Sequence, residues 1–135
     1  MTREVATPRS ILIVEDDPVA GDLFKRSLEH AGYVARVATD TERAADELLR
    51  EIPDAVILDW HLPGSDGIAF LGRLRAARVT ADLAVAIVTG DYFMDESIAR
   101  DIAALGARLY FKPLWEEDLL QVAADLFAQP GEPRP

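Results

Sequence analysis

The sequence predicts an α/β domain: a doubly wound parallel sheet of five strands with helices on both faces. Short apolar strand candidates alternate with helical segments five times along the chain. Those strands are nearly continuous in Val, Ile, Leu and Ala instead of alternating with polar residues, as strands buried on both faces are. Length agrees, since 135 residues make one domain that can bury roughly two thirds of the surface its unfolded chain exposes.

The first strand is Ile11-Leu12-Ile13-Val14, which stops at Glu15-Asp16-Asp17 and Pro18. Pro18 suits the first position of a helix, and Asp17 can cap that helix's free amides. Val19, Leu23, Phe24 and Leu28 then recur at helical spacing until Gly32. A short strand near Tyr33 to Ala38 and a helix from about Thr41 to Glu51 follow, broken by Pro53-Asp54. Ala55-Val56-Ile57-Leu58 is the next strand and ends in Asp59. The turn formers Leu62-Pro63-Gly64-Ser65-Asp66-Gly67 lead into a helix carrying Ile68, Phe70, Leu71 and Leu74. Ala84 to Val88 is a strand ending at Thr89-Gly90, and a helix runs from about Asp95 to Leu105 before Gly106. Arg108 to Phe111 is the last strand, closed by Lys112-Pro113. Trp115 to Phe127 is the last helix, with Glu116, Glu117 and Asp118 in its first turn, where the helix dipole favours negative charge. Trp115, Leu119, Val122 and Phe127 read as its inner face. Residues 1–9 read as an N-terminal extension, 10–128 as the domain, and 129–135 as a Pro-rich disordered tail.

Against 24 Asp and Glu stand 14 Lys and Arg, a formal charge of −10. Counterion release at a nucleic acid needs clustered cations, which the sequence lacks, so no direct nucleic-acid binding is expected. With 0 cysteines there is no disulfide, thiolate metal site or thiol nucleophile. The first residues lack the apolar core of a secretory leader, and no apolar run approaches ~20 residues. A soluble, cytoplasmic chain without membrane contact is expected.

Parallel strands place their carboxyl ends on one edge, so Glu15, Asp16, Asp59, Thr89 and Lys112 should meet there, where strand order reverses. Each has an ordinary reading alone: the acids as caps or turn formers, Thr89 as a strand end, Lys112 as a solvated lysine. Together they specify more. Crowded carboxylates repel and raise a pKa unless a cation sits between them. Oxygen-only ligands favour a hard ion, Mg²⁺. An ammonium and a hydroxyl beside it suit the oxygens of a phosphoryl group. The set is suited to carrying a phosphoryl group on a carboxylate.

Taken in order, Ile11-Leu12-Ile13-Val14-Glu15-Asp16-Asp17, the segment from Asp59 to Gly67, Val88-Thr89-Gly90 and Lys112-Pro113 resemble the receiver domain of two-component response regulators, over roughly residues 10 to 128. The resemblance implies a flavodoxin-like (βα)5 fold. It implies that Asp59 accepts a phosphoryl group from the phosphohistidine of a sensor histidine kinase or a histidine phosphotransfer protein. Mg²⁺ would be held by Asp16 and Asp59, by Glu15 through a water, and by the backbone carbonyl of His61. Lys112 would pair with phosphoryl oxygens from a loop pinned by a cis Lys112-Pro113 peptide, and Thr89 would be the switch hydroxyl. The product would be a switch and not a turnover enzyme. It would signal to a downstream protein or effector domain through the fourth helix, last strand and last helix, with a phosphorylation-dependent homodimer among the outcomes. Tyr92, Phe93 and Met94 form an apolar loop patch beside that surface.

The chain departs from the family pattern at the switch aromatic. Counting forward from Gly106-Ala107 selects Tyr110, and counting back from Lys112 selects Leu109; Tyr110 is the ring of the right type. Leu114 stands where the family commonly has an aromatic. His61 and Asp91 hold positions that tune phosphoryl lifetime in the family. His30 suits the dipole at the end of the first helix, and Trp60 fills space beside the site. Two other readings compete. A non-phosphorylated pseudo-receiver acting as a protein-interaction module is opposed by the complete Asp16, Asp59, Thr89 and Lys112 set. A flavodoxin-type nucleotide or flavin binder is opposed by the lack of a Gly-rich phosphate loop.

Overall fold

The computed structural model describes residues 8–60, 67–91, 93–112 and 114–128. The carbonyl of His61, Tyr92, the Lys112-Pro113 peptide, the tail from residue 129 and the first seven residues of the N-terminal extension lie outside the described residues. The chain runs β1 (Ser10–Val14), α1 (Pro18–His30), β2 (Val34–Ala38), α2 (Thr41–Arg50), β3 (Ala55–Asp59), α3 (Gly67–Ala76), β4 (Ala84–Thr89), α4 (Glu96–Ala104), β5 (Arg108–Phe111) and α5 (Glu116–Phe127). All strand pairs are parallel and the order is β2-β1-β3-β4-β5. This is the flavodoxin-like arrangement, with its switch point between β1 and β3.

Local chemistry sets the element ends. Asp17 accepts from Val19 N at 3.0 Å, Asp40 from Arg43 N at 2.7 Å and Asp95 from Ser97 N at 2.8 Å, so α1, α2 and α4 each start on a carboxylate that satisfies a free amide. Gly32, at φ +100°, takes the left-handed turn that lets the chain leave α1.

Two apolar layers cover the sheet. On one face, Ile11, Ile13, Ala55, Ile57, Ala86 and Val88 meet Leu28 of α1 and Leu119, Val122, Ala123 and Leu126 of α5. On the other, Leu12, Val14, Val56, Leu58, Val85 and Ile87 meet Ala44 of α2, Phe70, Leu71 and Leu74 of α3 and Ile102 of α4. Both faces of each inner strand are buried, hence the unbroken apolar runs. Truncating any of these Leu or Ile to Ala costs about 2–5 kcal/mol.

Two packing expectations are corrected. Along α1 the buried positions are Gly21 and Leu28, with Phe24 partly buried, while Val19 and Leu23 are 67% and 58% exposed. The helix lies so close to β2 that a Cβ on Gly21 would come 3.0 Å from Val37 Cγ1, which turns Val19 and Leu23 outward. Trp115 does not join the inner face of α5 either. It is the residue before that helix, 68% exposed, and its backbone amide donates to Asp118 Oδ2 at 2.9 Å.

Candidate functional site

Backbone bonds carry the sheet ladder one residue past its strands and so fix the polar edge. Glu15 N donates to Ala38 O at 2.9 Å, Trp60 N to Val88 O at 2.9 Å, and Lys112 N to Thr89 O at 2.7 Å. Glu15 and Lys112 are therefore held as rigidly as strand residues, on either side of Asp59 at the end of β3.

The carboxylate oxygens of Glu15, Asp16 and Asp59 lie within 4.8 Å of one another. Glu15 and Asp59 are buried, whereas Asp16 opens to solvent at the mouth. Lys112 Nζ reaches in to 3.1 Å from Asp59 Oδ2 and 3.9 Å from Glu15 Oε1. One ammonium cannot balance three carboxylates. Burial, followed by the hydrogen bond and charge of Asp59, pushes the Glu15 carboxyl up to about 8, although Lys112 pulls the other way. The donor set is all hard oxygen and short of positive charge, which fits a divalent ion such as Mg²⁺.

Thr89 is fully buried at the end of β4, and its Oγ1 accepts from Asp91 N at 3.0 Å. Trp60 packs partly buried against the core beside Asp59, so closely that a Cβ on Gly67 would sit 2.8 Å from its ring. That contact fixes the start of α3 just after the site.

The match of this chain to the response regulator receiver domain profile runs over residues 11–124. The chain belongs to the response regulator receiver domain family. The phosphate regulon transcriptional regulatory protein PhoB of Pseudomonas aeruginosa is 33% identical over 90 residues, 67% of this chain and 39% of that protein. The response regulator MprA of Mycolicibacterium vanbaalenii is 34% identical over 116 residues, 84% of this chain and 48% of that protein. The receiver spans less than half the length of both relatives. A solved response regulator receiver protein from Pseudomonas putida superposes with a TM-score of 0.79 at 26% identity, covering 90% of this chain and 99% of its own. The chemotaxis response regulator CheY4 of Vibrio cholerae shares the fold, with a TM-score of 0.81 at 22% identity over 90% of this chain and 100% of its own.

At the aromatic of the receiver's last strand, the structure differs from the expectation of Tyr110. The register pairs Ile87 with Leu109, Val88 with Tyr110 and Thr89 with Phe111. Side chains alternate faces along a strand, so Leu109 and Phe111 share the face of Thr89, and Tyr110 lies on the other. Leu109 packs with the α3 and α4 layer; Tyr110 packs with the α5 layer and donates its hydroxyl to Asp125 Oδ2 at 2.9 Å. Phe111, 42% exposed, is the ring on Thr89's side. Counting back two residues from Phe111, Thr89's partner, selects Leu109 on the same face, but the pairing has to be known first.

Proposed function

We propose that this receiver is a phosphorylatable signalling switch. Asp59 takes a phosphoryl group from the phosphohistidine of a sensor histidine kinase or a histidine phosphotransfer protein, in the cytoplasm, and passes the change to a downstream protein or effector domain. The observation that carries this reading is Lys112 Nζ at 3.1 Å from Asp59 Oδ2, inside a cluster of carboxylates short of positive charge. A carboxylate oxygen of Asp59 attacks phosphorus in line, the N–P bond breaks and the donor imidazole departs. Lys112, already at Asp59, holds an oxygen of the arriving group. Glu15, Asp16 and Asp59 would hold Mg²⁺, which supplies countercharge to the phosphoryl oxygens. Thr89 is set to meet a phosphoryl oxygen by a hydroxyl shift. The exposed Val19 and Leu23 at the start of α1, with Trp115 before α5, give an approaching donor an apolar ledge at this edge.

The relatives support this reading, PhoB being a transcriptional regulatory protein. The acidic balance, −10 overall, disfavours phosphate-backbone contact and supports a reading in which a partner or effector makes any nucleic-acid contact. No helix among the described residues is long and apolar enough to cross a membrane. The test is incubation with a small phosphodonor and Mg²⁺ followed by intact-mass measurement. One phosphoryl mass is expected on the wild type and none on Asp59→Asn; no added mass on either favours the pseudo-receiver.

A further inference from the structure

Between the C-terminal halves of α2 and α3 runs an apolar groove of about 270 Å³, lined by Leu48, Leu49, Ile52, Phe70, Leu74 and Val79. It lies at the end of the domain opposite the acidic edge. Leu49 and Val79 stand 87% and 74% exposed beside it, two large aliphatic side chains in water next to a hollow of their own kind.

Charge of opposite sign stands outside the two rims. On α2, Asp46 precedes the exposed Leu49 by three residues, on the outer side of the helix, where it also lines a second hollow with Arg43 and Arg50. It forms no ion pair among the described residues, whereas those arginines do: Arg43 with Asp40 and Arg50 with Glu47. On the other rim, Arg73 lines the groove with its guanidinium 5.8 Å from the Phe70 ring, and Arg78 adjoins Val79. These two also lack a carboxylate partner among the described residues. Residues 67–81 contain Arg73, Arg75 and Arg78 and no acid, in a chain of charge −10.

One patch thus holds protruding apolar side chains, a groove that can take them, and unpaired charge of both signs. A two-fold contact asks for this combination, because each copy presents the same surface and must complement itself. We propose that this face pairs with the same face of a second copy of the chain. The helices run antiparallel across the axis, Leu49 of each copy enters the other's groove, and Asp46 on one meets Arg73 on the other. The charge of −10 on each copy repels overall, so apolar contact must hold the pair while the rim charges fix its register. The acidic edge stays open, and the pairing rests on no part of the proposed phosphotransfer.

Sedimentation velocity of the full chain, from micromolar to millimolar and without phosphodonor, tests this. A reversible monomer–dimer equilibrium is expected, and the same one for Asp59→Asn. Leu49→Asp, at a position too exposed to threaten the fold, should abolish the dimer. Asp46→Arg and Arg73→Glu should each weaken it by about tenfold or more, through two symmetry-related repulsive contacts. The double swap, Asp46→Arg with Arg73→Glu, should recover it. A chain that stays monomeric, a dimer that none of these substitutions weakens, or a double swap that recovers nothing would overturn the proposal.

Discussion

The two ends of the sheet both bury charged groups, and they treat them differently. At the carboxyl edge, Glu15, Asp16 and Asp59 crowd around the single ammonium of Lys112, and Glu15 is pushed up to about 8 in consequence. At the amino edge, the Arg75 guanidinium meets mostly backbone carbonyls. Its Nε donates to Leu105 O at 2.6 Å, and its Nη1 to Leu83 O at 2.7 Å, Ala81 O at 3.2 Å and Thr80 O at 3.3 Å. Burial lowers the Arg75 pKa, partly offset by Asp82. There one cation closes the α3–β4 turn and the end of α4, and nothing further is required. At the carboxyl edge the described residues leave an excess of negative charge. The cluster around Arg75 is closed by its own carbonyls, whereas the cluster around Asp59 has negative charge to spare for an added cation.

The largest effect should come from breaking the complete cluster. Arg75→Met leaves carbonyls of two turns without a donor and should cost about 3 kcal/mol in urea unfolding. A cost no greater than that of an exposed arginine would mean that the two ends are not different in kind.

Next is the pH dependence of the incomplete cluster. Glu15 titrates near 4.5 when unfolded and at about 8 when folded, so over that window the folded chain holds the extra proton. Stability from this group is full below the lower value and is lost as pH rises through the upper one. The slope should disappear in Glu15→Gln and flatten with Mg²⁺, which takes the proton's place. A wild type and Glu15→Gln with parallel unfolding profiles across that window would count against the mismatch.

Smaller still, Asp59→Asn should raise metal-free stability by about 1 kcal/mol, because relief of carboxylate crowding outweighs the lost contact with Lys112. The gain should shrink when Mg²⁺ is added, since the ion stabilises only the chain that binds it. Destabilisation of the metal-free chain would show instead that Lys112 alone balances the edge.

Much of this was legible beforehand, for a topological reason. Parallel strands buried on both faces read as apolar runs, and whatever polar residue ends each run must arrive at one edge, which is how Glu15, Asp59, Thr89 and Lys112 could be placed together. Phase and reach were not legible. The outward turn of Val19 and Leu23 depends on how closely α1 approaches β2 at Gly21. Arg75 sits on a helix where arginine is ordinarily solvated, and its partner Leu105 is 30 residues away. The face of Tyr110 depends on the β4–β5 register, which no count along a single strand supplies.

Tyr110 gives the smallest and sharpest test of that register. Its hydroxyl donates to Asp125 across a half-buried surface, and burial with that bond holds its pKa above the usual tyrosine value. Tyr110→Phe removes one such bond and keeps the ring, so it should cost about 0.5–1 kcal/mol. It should also remove a tyrosine that titrates above the usual value in an ultraviolet pH titration. Because the ring faces α5 and not Thr89, phosphoryl accumulation on Asp59 should be unchanged, while Phe111→Ala, on Thr89's own face, should alter the response at that end. If Tyr110→Phe shifted phosphoryl accumulation and Phe111→Ala did not, the ring would have to cross the sheet edge toward Thr89 when the phosphoryl group arrives, and the separation of the two layers at β5 would hold only for the metal-free chain.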